Sequence, residues 1–191
     1  MEKLTGKNIS VFISGRGTNL RSLIKEAKKE NSIFNIKLVI CNNKNAKGLV
    51  YAKKNKIPFL ITDFKDRKKS EKLIIDKVTK NKIDLICLAG FMKILSSHFI
   101  NKIKTPILNI HPSLLPKYKG LNTHFRAIKN KDKFSGTTVH AVNSKLDSGK
   151  IILQKKIKIN KNDNAKTLEK KILKIEYKLY PRAIKKFLSS F

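Results

Sequence analysis

Apolar and polar positions along the first half of the chain alternate between two periods. "NISVFIS" (8–14) is a short run rich in β-forming residues that stops at Gly15, and "NLRSLIKEAKKE" (19–30) repeats Leu20, Leu23, Ile24 and Ala27 at helical spacing. The same pairing recurs twice. "FNIKLVICN" (34–42) reads as a strand and "AKGLVYAKKNK" (46–56) as a helix; "PFLIT" (58–62) is a third strand. "DRKKSEKLIIDKVTKNK" (66–82) is a helix with Leu73, Ile74, Lys77 and Val78 as its inward stripe. "IDLICLAG" (83–90) is an almost unbroken apolar run, as expected of a strand buried on both faces. Strands separated by helices imply right-handed crossovers and a parallel sheet.

The pattern changes after "TPILNI" (105–110). "GTTVHAVN" (136–143) and "KIILQKKIKI" (150–159) alternate as antiparallel strands do, around the turn "SKLDSG" (144–149). "AKTLEKKILKIEYKLY" (165–180) places Leu168, Ile172, Ile175 and Leu179 on one helical face, and Pro181 is expected to break or kink that helix. The prediction is one α/β domain over 1–191. Its sheet is mostly parallel with flanking helices, with a phosphate-binding half at about 8–104 and a catalytic, antiparallel-strand half at about 105–191.

Composition adds boundaries. No run approaches the ~18 to 20 apolar residues of a membrane span, and "MEKLTGKNIS" lacks the apolar core of a signal peptide, so a soluble cytoplasmic protein is expected. Cys41 and Cys87 are far apart, in apolar stretches without metal or redox spacing, and are expected to be buried thiols. With 44 Lys+Arg against 13 Asp+Glu the formal charge is +31, which draws attention to polyanions. Nearly all of those cations are Lys, and the five arginines, Arg16, Arg21, Arg67, Arg126 and Arg182, do not cluster as a nucleic-acid face would require. A solvated, composition-biased surface that attracts small anions is the expectation, and a nucleic-acid partner is not.

Ligands of open parallel sheets bind beyond the carboxyl ends of the strands, so the loops there carry the candidate chemistry. "SGRGTNL" (14–20) has two glycines for a tight turn at a helix start, which suits a monophosphate; it lacks the Lys of a Walker loop and the third small residue of a dinucleotide fingerprint. A plain glycine turn explains it equally well. "FMKILSS" (91–97) either walls a flat ligand or is ordinary core. In "ILNIHPSLLP" (107–116) Pro112 stops a strand just after Asn109 and His111, and "LDSG" (146–149) brings Asp147. An amide and an imidazole can donate to an oxygen gaining negative charge while a carboxylate orients the imidazole, which suits acyl transfer to an external amine. No Ser or Cys sits in a nucleophile-elbow context, so a covalent acyl-enzyme is not expected. Backbone capping is the alternative role for the strand-end pair.

Taken in order, "ISGRGTNL", "LAGFMKILS", "LNIHPSLLPKYKGLNTHFRAI", "GTTVH" and "LDSGKIILQ" resemble the phosphoribosylglycinamide formyltransferases of the folate-dependent formyltransferase superfamily, from Ile9 to about Phe187. The resemblance implies a Rossmann-like formyltransferase fold. It also implies transfer of the formyl group of 10-formyltetrahydrofolate, a co-substrate, to the amine of 5'-phosphoribosylglycinamide in purine synthesis, with no metal. By resemblance Asn109 and His111 stabilise the oxyanion, and Asp147 supports His111 and proton transfer through water. Gly15, Arg16, Gly17, Thr18 and Asn19 correspond to the 5'-phosphate loop, with Arg16 where Asn is common. Glu176 corresponds to the acidic residue that contacts the ribonucleotide; without the family it reads as solvent-facing. Met92, Lys93, Ile94 and Leu95 correspond to the folate loop, Lys93 replacing a frequent Arg, and Arg67 is a candidate for the folate tail. His124 and His140 match family histidines near the site with structural roles expected. Asn122 stands where a family His is common, and His98 is expected on the surface.

Related enzymes set the alternatives. Methionyl-tRNA formyltransferases share the Asn, His and Asp constellation, but continue after the Leu-Leu-Pro segment with a Gly-Ala-Ala-Pro-Ile pattern and carry a further tRNA-binding domain. Formyltetrahydrofolate deformylases carry a regulatory domain ahead of the glycine loop. Small-molecule substrates, no membrane and a monomer or homodimer complete the expectation.

Overall fold

The computed structural model describes residues 6–190. Strands and helices alternate as β1 (Lys7–Ile13), α1 (Thr18–Ala27), β2 (Phe34–Cys41), α2 (Leu49–Lys54), β3 (Phe59–Ile61), α3 (Arg67–Lys80), β4 (Leu85–Leu88), α4 (Ser97–Lys102), β5 (Ile107–His111), α5 (Thr123–Lys129), β6 (Phe134–Ala141), β7 (Ile151–Lys158) and α6 (Ala165–Leu188). The seven strands form one sheet in the order β3-β2-β1-β4-β5-β6-β7. β1 pairs in parallel with β2 and with β4, β2 pairs in parallel with β3, and β6 pairs with β7 antiparallel. The chain divides into two compact units, up to Leu108 and from Asn109 onward.

In the first unit, β1 and β4 are buried on both faces: Ile9, Val11, Phe12, Ile13, Leu85, Ile86 and Cys87 are all inaccessible to solvent. An uninterrupted apolar run can be stable only where helices cover both sides of a sheet, which is what the parallel strands and their crossovers provide. The strand order reverses between β1 and β4, so the loops after these two strands diverge from a topological switch point. Leu20, Leu23 and Ile24 of α1 are buried as their spacing predicts. In α3 the inward stripe is Ser70, Glu71, Ile74 and Val78, while Leu73 is 38% exposed and Lys77 faces solvent. The rotation follows from Glu71. Its buried carboxylate accepts the Ser96 N–H (2.7 Å) and hydroxyl (2.6 Å), and Ser96 in turn caps α4 by accepting the Phe99 N–H (3.0 Å).

In the second unit, α6 begins with a reciprocal cap between Asn164 and Thr167 and runs unbroken to Leu188. The break or kink expected at Pro181 does not end it. Pro181 has no N–H to donate one turn back, but it is buried together with Leu179, Tyr180, Ala183 and Ile184, and that packing carries the helix through. Ala127 of α5 packs on Leu168 and Ile172 of α6, with Tyr118, Ile128, Ile157 and Ile159 around them. Helices α4 and α5, six and seven residues long, fall in stretches to which the hydrophobic pattern assigns no element. No helix among the described residues is long and apolar enough to cross a membrane.

Candidate active site

The glycine loop follows β1. Gly17 has φ 67, and a Cβ there would come within 2.5 Å of Gly48 Cα, so both conformation and space demand glycine. The Gly48 N–H donates to the Gly15 carbonyl (2.9 Å) and fastens the loop to the start of α2. Gly17 also precedes α1 and offers no side-chain cap, which leaves the first-turn N–H groups for an anion. Thr18 opens α1 and Asn19 is buried, whereas Gly15 and Arg16 are exposed.

Ser14 ties this loop to the one after β4. Its hydroxyl donates to Asn42 Oδ1 and accepts the Met92 N–H (2.7 Å). Phe91 is anchored edge-on against Phe12 and Phe64, at 5.4 and 5.5 Å between ring centroids. Beyond that anchor Met92 and Ile94 are 65% and 69% exposed, Lys93 is exposed, and only Leu95 is buried. Ordinary core is thereby ruled out for Met92 and Ile94. Arg67 is exposed at the first turn of α3, and His98 lies on the surface.

The second unit gathers four polar side chains. β5 ends at His111, and the segment after it is stapled to β6: the Thr137 hydroxyl donates to the His111 carbonyl (3.1 Å), and the Thr138 hydroxyl donates to the Ser113 carbonyl (2.7 Å) while accepting the Leu115 N–H (3.1 Å). The "GTTVH" and "HPSLLP" segments thus hold each other. Asp147 sits in the turn between β6 and β7 with φ 45, and a Cβ on Gly149 would lie 1.7 Å from the Ala141 carbonyl oxygen. That close approach explains the glycine two residues after the aspartate.

Asp147 Oδ2 lies 3.4 Å from His111 Nδ1 and accepts the Gly120 N–H (2.8 Å); Oδ1 accepts from Asn109 Nδ2 (3.4 Å) and lies 3.5 Å from His140 Nε2. The Tyr118 carbonyl, 2.8 Å from His111 Nε2, can only accept. Nε2 therefore carries a proton and Nδ1 is the nitrogen that faces the carboxylate. The same reasoning applies to His140, whose Nδ1 donates to the Ala141 carbonyl (2.9 Å). Its Nε2, 3.2 Å from Asn109 Nδ2, accepts from the amide when unprotonated and donates to Asp147 when protonated. His140 thus lies near the site, as the resemblance implies, and meets the cluster through Asn109 and Asp147.

Burial pushes the His111 pKa below its ordinary value, against the opposing pull of the Tyr118 carbonyl and Asp147. For Asp147, burial alone would raise the pKa. The His140 hydrogen bond, the Gly120 N–H and the charges of His111 and His140 together outweigh it and hold the carboxyl below the usual range. A carboxylate that stays ionised beside an imidazole that is mostly neutral can accept and pass on a proton near neutral pH.

Glu176 is 5% exposed, with Oε1 3.3 Å from the Thr137 hydroxyl oxygen, so the solvent-facing reading does not hold. It lies four residues after Ile172 on the buried stripe of α6, a spacing already visible in the sequence. His124 is half-buried, and its pKa is lowered chiefly by burial. Asn122 occupies a left-handed position (φ 58) ahead of α5, a conformation Asn tolerates. Cys41 and Cys87 are buried, reduced cysteines. No group of His, Cys, Asp and Glu among the described residues is arranged to hold a metal ion.

A family profile described as formyl transferase matches residues 7–184. The chain belongs to this family. A phosphoribosylglycinamide formyltransferase of Haemophilus influenzae is 45% identical over 95% of this chain and 87% of its own length. Solved structures of phosphoribosylglycinamide formyltransferases from Anaplasma phagocytophilum (40% identity, TM-score 0.88, covering 93% of this chain and 84% of that one) and Brucella melitensis (38%, 0.89, 95% of each) share its fold. The formyltransferase fold expected from the motifs is therefore the fold of the chain. Membership also makes it an enzyme of formyl transfer, as the sequence predicts.

Proposed function

We propose that the protein transfers the formyl group of 10-formyltetrahydrofolate to the amine of 5'-phosphoribosylglycinamide by direct attack, with Asn109, His111 and Asp147 as the reacting machinery. The convergence of an amide, an imidazole and an ionised carboxylate in one buried cluster carries this reading. Attack of the amine nitrogen on the formyl carbon turns the carbonyl oxygen into an oxyanion. The Asn109 amide stabilises that charge, joined by His111 once its Nδ1 is protonated, and the long Asn109–Asp147 bond is the contact most easily exchanged for it. The amine must lose a proton and the folate nitrogen must gain one as its bond to carbon breaks. His111 and Asp147 support that relay through water, and an imidazolium formed at Nδ1 would be paired with Asp147 as it forms. Holding amine and formyl carbon together provides the rest of the acceleration.

In the same reading Gly15, Arg16, Gly17, Thr18 and Asn19 receive the 5'-phosphate and Glu176 binds the glycinamide ribonucleotide. The exposed Met92, Lys93 and Ile94, with Leu95, receive the folate, and Arg67 reaches its tail. A cytoplasmic monomer or homodimer with no nucleic-acid partner completes it. The test is release of deformylated folate by purified protein given both substrates. We expect His111→Ala and Asp147→Asn to slow it by about 10² or more. Glu176→Gln should raise KM for the ribonucleotide about tenfold and leave KM for the folate unchanged. Equal release without the ribonucleotide would indicate a hydrolase, and dependence on aminoacyl-tRNA a tRNA-directed enzyme.

A further inference from the structure

The segment from Tyr118 to Leu121 has no regular secondary structure, yet two of its backbone groups orient the cluster. The Tyr118 carbonyl accepts from His111 Nε2, and the Gly120 N–H donates to Asp147 Oδ2, each at 2.8 Å. Tyr118 and Gly120 have left-handed backbones (φ 56 and 77), a geometry that neighbouring contacts must maintain.

Those contacts centre on Arg126, half-buried in α5. Its Nη1 donates to the Lys119 carbonyl (2.7 Å) and the Leu121 carbonyl (3.4 Å), one on each side of Gly120. Its guanidinium carbon lies 4.9 Å from the centre of the Tyr118 ring. The far end of that ring is fixed as well. The Tyr118 hydroxyl donates to Asp132 Oδ2 (2.8 Å) and accepts from Asn130 Nδ2 (2.9 Å), and the ring packs on the Ala127, Leu168 and Ile172 cluster.

We propose that Arg126 is a positioning residue for formyl transfer, bracing the 118–121 backbone so that its carbonyl meets His111 and its amide meets Asp147. The inference rests on the assignment of His111 and Asp147 to the reaction. Charge gives Arg126 a second influence. Around His111, Asp147 of the β6–β7 turn and the Tyr118 carbonyl favour a proton on the imidazole, while Arg126 of α5 and His140 of β6 oppose it; His124 of α5 also interacts with it. Lysine would keep the charge but lose the planar fork and the stacking on Tyr118.

The experiment compares Arg126→Lys, Arg126→Gln and His111→Ala. It measures kcat, KM for each substrate, thermal unfolding, and the NMR titration of the His111 imidazole, assigned by its loss in His111→Ala. Both Arg126 variants should lose about tenfold or more in kcat with each KM within about twofold. The His111 midpoint should rise in Arg126→Gln and stay in place in Arg126→Lys. If Arg126→Gln does not fold, Arg126→Lys alone decides. A kcat within about twofold of wild type in the folded variants, or a loss that only follows the fraction unfolded, overturns the brace while a slow His111→Ala leaves the site assignment standing. A fully active His111→Ala overturns both.

Discussion

Asp147 holds a left-handed backbone beside a glycine whose Cα touches the neighbouring strand, and its two oxygens serve an amide, a backbone N–H and two imidazoles. Gly149→Ala forces a carbon into the Ala141 carbonyl and should destabilise the fold by about 2 kcal/mol or more, read as a fall in the urea midpoint. His140→Phe removes the acceptor that turns the Asn109 amide; kcat should fall about tenfold with little change in either KM, since the lost contact orients a group that acts on the transition state. The depressed pKa values of His111 and His124 give a pH dependence of stability. Both bind protons less readily folded than unfolded, so their contribution is complete above the ordinary value of 6.5 and is lost as pH falls below it towards the folded values. Thermal unfolding between pH 8 and 5 should show this loss, and His124→Gln should reduce it. Asp147 adds a further loss of the same sign below its ordinary 3.8.

At the level of elements, the strands and the longer helices were legible, and the short helices α4 and α5 were not. β1 and β4 bury all their apolar positions, and α1 and α6 bury most of theirs, with Ala27 and Ile175 only half-buried. Helices α4 and α5 are too short to display a period, and α4 is set by a cap that reaches across to α3. Glu71, which reads as one more charge on a polar helix, is the buried half of that connection. Glu71→Ala leaves the Ser96 N–H and hydroxyl without their acceptor and should cost about 1–3 kcal/mol, measured by urea unfolding. Pro181 shows the reverse case. A strong local breaking signal was overridden because the residues around it are buried.

For the whole molecule, a formal charge of +31 means that the folded chain works against its own repulsion. Raising sodium chloride from about 20 mM to about 300 mM shortens the Debye length below 10 Å and should raise the unfolding temperature. A buried apolar core alone would respond far less to such low salt. The sequence by itself determined the α/β class, the parallel first half and the antiparallel pair, and singled out Asn109, His111 and Asp147 as candidates, because period and turn chemistry are local and the motif residues are distinctive. Tertiary structure alone decided that these three side chains meet. It also recruited His140, the Tyr118 carbonyl and the Gly120 amide, and buried Glu71 beside Ser96 and Glu176 beside Thr137. Such facts depend on contacts between residues far apart along the chain, and a contact of that kind leaves no period in the sequence to read.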